Sequence, residues 1–282
     1  METTDLRDIL ALVAKGRLAP DAALEQVCAA DVRAALAGFA SRFPEQVPGL
    51  TLDPEREPRT GVGEVVFAQG KSDDMLLAAL EGLSRHGPAL ASRVTPAQGD
   101  ALRRRFSDGH YWPKARLFAL NAPARFTALA QTVSAPWPGQ GDILVVSAGA
   151  SDMPVALEAL GSLAFLDCDA GFVSDVGVAG LHRLLPHIEA LRKARVIIAV
   201  AGMEGALPGV LAGLVRAPVI AVPTSVGYGV GAGGFAALST MLCTCVPGVA
   251  VVNIDNGFGA AAFAAKMSRS HFIIPEKVMK SV

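Results

Sequence analysis

Residues 196–208 read VIIAVAGMEGALP and indicate the fold more directly than any other part of the chain. Six apolar residues form an unbroken run, and the segment then turns at two glycines before a helix begins near Ala206. Such a run is typical of a parallel strand whose two faces are both covered by helices. The stretch therefore predicts a buried strand, a turn that carries Glu204, and a crossover helix.

The same rhythm recurs on both sides of this stretch. Strand-like apolar runs lie at residues 143–147, 219–223 and 249–254, with a weaker run within 163–173, and helical stretches lie at 152–160, 178–193, 206–215, 235–242 and 257–267. This alternation predicts an α/β domain with right-handed crossovers and a parallel sheet. Five strands favour a flavodoxin-like order, in which ligands bind beyond the carboxyl ends of the strands.

The first half of the chain has a less regular pattern. Helical spacing occurs at residues 6–14 and 22–30, Ser72 caps a helix that ends near Arg85, and Thr95-Pro96 is typical of a helix start. Strands are predicted at 64–68 and, more briefly, at 93–94. Two prolines and two glycines in SAPWPGQG, residues 134–141, indicate a linker. We therefore predict a smaller, mostly helical N-terminal domain at 1–134 and a catalytic domain at 142–282.

Composition limits the classes of function. The 282 residues are 51% hydrophobic and carry 25 basic and 26 acidic side chains, which leaves a net charge of −1. A nucleic-acid-binding protein would need a basic footprint, so we expect a small-molecule substrate or another copy of the chain as partner. The four cysteines have no CxxC spacing, and no apolar leader follows the acidic start, which favours the cytoplasm.

A long uncharged segment between Arg216 and Asp255 raises the question of a membrane span. A spanning helix needs about 20 continuous apolar residues. Prolines and a cluster of glycines interrupt this segment, so we predict buried parallel strands and no membrane partner.

Two of the predicted turns carry acids. The first, SAGASD at residues 147–152, has small residues that allow a ligand to approach the backbone, and Ser151 and Asp152 could bind an anion or simply cap the next helix. The third turn places Glu204 at a strand end within an apolar segment. Burial there would raise the pKa of Glu204, which suits proton transfer.

The fourth turn, PTSVGYGVGAGG at residues 223–234, contains a formal GxGxxG pattern with Asp255 at about the expected distance beyond it. A dinucleotide fingerprint belongs to the first strand-helix turn of its fold, whereas this pattern follows the fourth strand. It favours a glycine loop that approaches a ligand or a neighbouring subunit. Lys71, in Gly-Lys-Ser, is not part of a Walker motif, because Val65 stands where that motif needs glycine.

Histidines and cysteines give no metal-binding pattern. His182 and His187 are spaced i, i+5 and so lie on different helix faces, and we predict no zinc or iron site. Cys243 and Cys245 precede the last strand, where a cysteine is commonly a small buried hydrophobe. Their residue types alone leave a catalytic role open.

Five strings carry a resemblance to a known family. ASD at 150–152, DVGVAGLHRLL at 175–185, AGMEGALP at 201–208, PTSVGYG at 223–229 and NIDNGFGAA at 253–261 resemble the aminoimidazole ribonucleotide carboxylase fold and, more closely, the LarB family. RTGVGEVVFAQGKS at 59–72 and SRVTPAQ at 92–98 extend the resemblance more faintly into the first half. Met153 departs from the purine enzymes, which have tryptophan there, and their histidine would lie nearer Asp175 than His182.

The resemblance implies a synthase that begins nickel-pincer cofactor formation. It would add CO2 to pyridinium C5 of nicotinic acid adenine dinucleotide and hydrolyse the phosphoanhydride to release AMP. The expected cofactor is labile Mg2+ at the pyrophosphate, with no tightly bound organic cofactor, and the expected assembly is a homo-octamer. Alternatives are a purine-type carboxylase or mutase and a non-catalytic nucleotide-binding regulatory module.

These arguments give a set of candidate site residues. Cys245 matches the cysteine of the family and is expected to be the covalent nucleophile, Glu204 the base, and Asp152 a group that positions substrate or metal. Cys243, two residues away, is expected to face the opposite side. The expected substrate-binding residues are Ser151, Asp175, Gly177, Met203, Gly205, Ser225, Gly229, Gly231 and Lys71.

Overall fold

The computed structural model describes residues 12–20, 22–23, 46–47, 49–131 and 139–269. Most of the helix predicted at 22–30, most of the one at 6–14, and most of the linker at 134–141 lie outside the described residues. The proposed division at 134/142 therefore stays a prediction.

The N-terminal half contains a four-stranded mixed sheet with helices on it. Its sheet has the order β3 (Val65–Phe67), β4 (Ala89–Ser92), β6 (Leu117–Leu120), β5 (His110–Trp112). Strands β3 and β4 are parallel, and the other pairs are antiparallel. A short hairpin precedes it. The strands are β1 Gln46–Val47, β2 Leu50–Thr51, β3 Val65–Phe67, β4 Ala89–Ser92, β5 His110–Trp112 and β6 Leu117–Leu120, and the helices are α1 Arg56–Thr60, α2 Asp73–Ser84, α3 Pro96–Arg105 and α4 Ala124–Gln131.

The sequence predicted the helix starts of this half better than its strands. Ser72 caps α2 by accepting the backbone N–H of Met75, and Thr95 forms a capping box at α3. The strand predicted at 64–68 is β3, but β4, β5 and β6 were missed. The strand predicted at 93–94 begins where β4 has already ended, because Arg93 has a φ of 59° and leaves the extended conformation.

The C-terminal half is a five-stranded parallel sheet in the order β8-β7-β9-β10-β11, which confirms the predicted flavodoxin-like order. Its strands are β7 Ile143–Ser147, β8 Ala170–Val173, β9 Val196–Ala201, β10 Val219–Pro223 and β11 Val249–Val251, and its helices are α5 Met153–Phe165, α6 Ile188–Lys193, α7 Leu207–Ala212, α8 Phe235–Leu242 and α9 Gly257–Arg269. The helix predicted at 178–193 is 3-10 helix over Val178–His187, interrupted at Gly180, and becomes α-helical only in α6.

Helices cover both faces of this sheet, as the continuous apolar runs require. Helices α5 and α9 pack on one face, while α6, α7 and α8 pack on the other. Helix α5 also contacts the N-terminal sheet: a Cβ at Gly161 would lie 2.5 Å from Cδ1 of Leu117 and 3.1 Å from the Trp112 ring. The two halves therefore share one apolar cluster around α5.

The longest helices in the described ranges, α5 and α9, have 13 residues each, and no described helix is both long and apolar enough to span a membrane.

Candidate functional site

A cavity of about 530 Å³ opens at the carboxyl ends of the parallel strands. The turns that follow β7, β8, β9 and β10 form its walls, so it lies where the fold predicts a ligand. Six of the predicted site residues line it: Ser151, Asp152, Asp175, Gly177, Met203 and Glu204.

Asp152 is the buried acid of this cavity, with 5% of its surface exposed. Its Oδ1 accepts a 2.6 Å hydrogen bond from the hydroxyl of Thr224, and its Oδ2 accepts a 2.9 Å bond from the backbone N–H of Gly149. Burial raises the pKa of Asp152, opposed by the bonds from Thr224, Gly149 and Gly202, while the charge of Asp255 raises it further. A carboxyl group in this environment is suited to proton transfer.

The expectation of a buried Glu204 was wrong. Met203, the second residue after β9, has a φ of 53°, and the side chains of Met203 and Glu204 are both exposed. The apolar sequence around Glu204 belongs to strand and helix residues that pack inward, whereas Met203 and Glu204 are the exposed residues of the turn. Desolvation at this cavity therefore acts on Asp152 and not on Glu204.

Arg183 is a pocket residue that the sequence analysis did not identify. Its Nη1 lies 2.5 Å from Oδ2 of Asp175, which itself has a φ of 58°, and both residues line the cavity. His182 is exposed and is not among the lining residues. The sequence contains one signal that could have identified Arg183, because it is the single lysine or arginine between Asp175 and Leu191. A guanidinium at this rim can pair with a phosphate or a carboxylate.

Most of the predicted glycines are needed for close backbone contacts or for a positive φ near the cavity. A Cβ at Gly177 would lie 2.8 Å from the carbonyl oxygen of Ala148, and one at Gly205 would lie 2.8 Å from that of Ala237. Gly229 needs its glycine conformation, with a φ of 57°, while a Cβ at Gly231 would contact Met203. Of the four predicted glycines, Gly177 lines the cavity and Gly205, Gly229 and Gly231 do not.

Ser225 and Asp255 are bonded to each other. The backbone N–H of Ser225 donates a 2.8 Å hydrogen bond to Oδ1 of Asp255. In a dinucleotide fingerprint the corresponding acid binds ribose, but here Asp255 accepts a hydrogen bond from the backbone of the chain itself. Lys71 lies in the N-terminal half, donates from Nζ to the carbonyl oxygen of Phe67, and is not among the cavity residues.

Cys245 is not in this cavity. It lies in the connection between α8 and β11, before the strand begins, and therefore at the amino end of the sheet. Cys243 and Cys245 are both exposed. The argument that they face opposite sides assumed an extended segment, but Cys243 has φ −90° and ψ 4°, so that assumption was wrong.

No group of three or more His, Cys, Asp or Glu side chains within the described ranges is arranged to hold a metal ion. Both oxygens of Asp152 already accept hydrogen bonds, and Oδ2 of Asp175 accepts one from Arg183, whereas Glu204 presents its carboxylate at the rim. Mg2+ is commonly held by one or two carboxylates together with phosphate oxygens. These residues fit an ion that is bound jointly with a pyrophosphate.

Comparisons with known proteins cover both halves of the chain. The AIR carboxylase model matches residues 142–280, and the LarB/PurE-like N-terminal domain model matches residues 45–122. An uncharacterized protein of Methanocaldococcus jannaschii is 41% identical over 225 residues, which is 78% of this chain and 84% of that protein.

Two further similarities are to a ribonucleotide mutase and to a solved structure. The N5-carboxyaminoimidazole ribonucleotide mutase of the same organism is 36% identical over 130 residues, or 44% of this chain and 77% of the mutase. A crystal structure of a PurE2 variant from Treponema denticola covers 50% of this chain and 98% of its own, with a TM-score of 0.33 and 19% identity.

The matched segments coincide with the structural halves described above. The AIR carboxylase match begins one residue before β7, and the N-terminal match includes the whole four-stranded sheet. The chain belongs to the AIR carboxylase family, a family of carboxylase-type enzymes, and carries a LarB/PurE-like N-terminal domain.

Proposed function

We propose that this protein carboxylates C5 of the pyridinium ring of nicotinic acid adenine dinucleotide and hydrolyses its phosphoanhydride, releasing AMP. This activity is that of a pyridinium-3,5-biscarboxylic acid mononucleotide synthase. The observation that carries the proposal is the buried, hydrogen-bonded Asp152 in a cavity whose rim holds Arg183. The acid can exchange a proton with the ring, and the guanidinium can hold a carboxylate or phosphate of the substrate.

The chemistry requires that an electron-poor ring become a nucleophile. Addition of the Cys245 thiolate at C4 converts the pyridinium into a 1,4-dihydropyridine, in which C5 is the β-carbon of an enamine. C5 then attacks CO2 and forms the new carbon–carbon bond. Loss of the C5 proton and expulsion of the thiolate from C4 restore the aromatic ring and regenerate the cysteine.

Asp152 is the better candidate to accept the C5 proton. Burial raises its pKa, so the carboxylate is a stronger base than an exposed acid and releases the proton less readily. Glu204, which the sequence favoured for this step, is exposed at the rim and is better placed to contact the phosphate region or the Mg2+ bound to it. Such an ion would neutralise charge that develops during hydrolysis.

The position of Cys245 adds a condition to the covalent mechanism. Within one chain, Cys245 lies at the amino end of the sheet and the cavity at the carboxyl end. The nucleophile must then come from a second copy of the chain. A homo-octamer, expected from the resemblance, would provide such neighbours, and the exposed apolar side chains Tyr228, Val230 and Phe235 beside the cavity are consistent with a subunit contact.

The proposal is tested by incubating the purified protein with nicotinic acid adenine dinucleotide, Mg2+ and labelled bicarbonate. We expect AMP and a labelled biscarboxylated pyridinium mononucleotide, identified by mass spectrometry. AMP without labelled product, or unchanged substrate, would contradict the proposed carboxylation.

A purine-type mutase is the second candidate, favoured by the 36% identity to the mutase of Methanocaldococcus jannaschii. The same assay with N5-carboxyaminoimidazole ribonucleotide distinguishes the two, because only a mutase would move the carboxyl group onto carbon. If neither substrate changes although a nucleotide binds, the protein is a regulatory module on this scaffold.

A further inference from the structure

A buried ion pair joins the N-terminal sheet to the catalytic half. Arg93, the residue after β4, donates from Nε to Oε2 of Glu158 in α5 over 2.9 Å. Its Nη2 also donates to the backbone carbonyl oxygen of Asp255. The side chain of Arg93 is 16% exposed and that of Glu158 only 2%. Removing one partner of such a pair leaves a buried charge uncompensated, so the pair strongly favours a single arrangement of these three segments.

Glu158 extends this connection to α9. Its Oε1 accepts the backbone N–H of Phe258, in the first turn of that helix, over 3.0 Å. Burial raises the pKa of Glu158, and the charge of Arg93 opposes that shift. Gly257 allows the contact, since a Cβ there would collide with the carbonyl oxygen of Val155. One carboxylate thus holds both Arg93 and the start of α9.

Asp255 continues the path to the cavity. It has a φ of 56°, its N–H donates to the carbonyl oxygen of Pro223 over 2.8 Å, and its Oδ1 accepts the N–H of Ser225. Residues 226–228 form a wall of the cavity, and Thr224 donates to Asp152. The strained backbone of Asp255 is maintained by its surroundings, and Arg93 is one of the groups that hold it.

We propose that Arg93 is a positioning residue through which the N-terminal domain fixes the turn at residues 253–256 and, by way of Asp255 and Ser225, the cavity wall at residues 226–228. Two acceptors at different angles require a planar guanidinium, which a lysine cannot replace. The proposal concerns the shape of the ligand-free cavity and does not depend on the substrate. Only its kinetic consequence rests on the proposed function.

The test uses the double variant Arg93→Met/Glu158→Gln. This change removes both charges together and retains an oxygen for the N–H of Phe258. The second cation near Glu158, Arg116, lies 4.0 Å from Oε2 and is 39% exposed, so water can solvate it in the double variant. The matched control is Arg125→Met, which breaks exposed ion pairs to Asp167 and Asp169 between the same two halves at the opposite edge of the sheet. Hydrogen exchange of backbone amides is measured in the full-length, ligand-free proteins.

We expect exchange at Ser225 to quicken about tenfold or more in the double variant and to stay at the wild-type rate in the control. If nicotinic acid adenine dinucleotide is turned over, its KM should rise about tenfold while kcat changes less than threefold. Wild-type exchange at Ser225 in a folded double variant would overturn the proposal, whatever the activity. Should the double variant not fold, Arg93→Lys decides the matter: fast exchange supports the need for the guanidinium, and wild-type exchange refutes it.

Discussion

The parallel sheet has one cavity at the amino ends of its strands, here called the amino edge, and one at the carboxyl ends, the carboxyl edge. The two cavities differ more in the burial of their charged residues than in their volumes. The cavity at the amino edge, about 670 Å³, is lined by Asp142, Asp169, Glu189 and Lys193, all of them exposed. The smaller cavity at the carboxyl edge contains Asp152, which is almost fully buried. Volume therefore does not identify the site. The two cavities are distinguished by the desolvated Asp152, because burial raises its pKa towards the range useful for proton transfer.

The largest effect is expected from the one proposed catalytic residue at the amino edge. Cys245→Ser should lower carboxylation at least about a thousandfold, because serine does not leave the ring as a thiolate does. Cys243→Ala is the matched control and should retain most activity. Intact-mass analysis with NAD should detect an adduct only in proteins that contain Cys245.

Mixed oligomers sharpen this prediction. If each site combines Cys245 of one copy with Asp152 of another, then co-expressed Cys245→Ser and Asp152→Asn chains should assemble some intact sites and regain activity. Neither variant alone should do so. Wild-type rates in the Cys245→Ser protein would end the covalent mechanism and with it the need for a composite site.

At the carboxyl edge the largest effect is expected for Asp152→Asn. An asparagine can still accept the hydrogen bond from Thr224, although it loses the one from the backbone N–H of Gly149. It cannot take up the C5 proton, so kcat should fall by about 10²–10⁴. Binding of the substrate, measured by calorimetry, should change less than turnover. A variant that keeps its wild-type kcat would show that another group accepts the proton.

Glu204→Gln should have a smaller effect. An exposed carboxylate at the rim can contribute to binding of Mg2+ and pyrophosphate, so we expect a KM raised about tenfold with kcat reduced less than tenfold. Steady-state kinetics at varied Mg2+ gives both values. A loss of kcat that exceeds the loss in Asp152→Asn would return the role of base to Glu204.

The sequence predicted the parallel sheet well because its strands are continuous apolar runs that owe their pattern to burial on two faces. The boundaries of α8 agree at both ends, since a glycine cluster precedes it and no competing pattern overlaps it. The short, alanine-rich β4 has no such signal and was missed. The local sequence therefore predicts an element where buried apolar residues follow one another along that element.

The candidate site was harder to predict because its burial is not local. Asp152 is buried by Thr224 and Gly202, which lie in turns more than 45 residues further along the chain. The sequence next to Asp152 contains no sign of these contacts. Glu204 shows the opposite error, since its apolar neighbours in sequence face away from it. Arg93 was predicted to lie in a strand, and its role depends on Glu158 and Asp255, which are distant in the chain.

The smallest effect is expected in the pH dependence of the free energy of unfolding, which should have opposite signs at the two edges. Burial raises the pKa of Asp152, so the folded state holds its proton more tightly than the unfolded state. The free energy of unfolding of the wild type, relative to Asp152→Asn, should therefore fall as pH rises from below the ordinary aspartate pKa to above the raised one.

At the amino edge, the hydrogen bond from Lys193 lowers the pKa of Glu189. Relative to Glu189→Gln, the wild type should instead gain stability as pH rises through that range, and added salt should weaken the gain because this pair is exposed. Urea unfolding of the three proteins between pH 3.5 and 7 measures both slopes, and slopes of the same sign would contradict the contrast between a desolvated and a solvated edge.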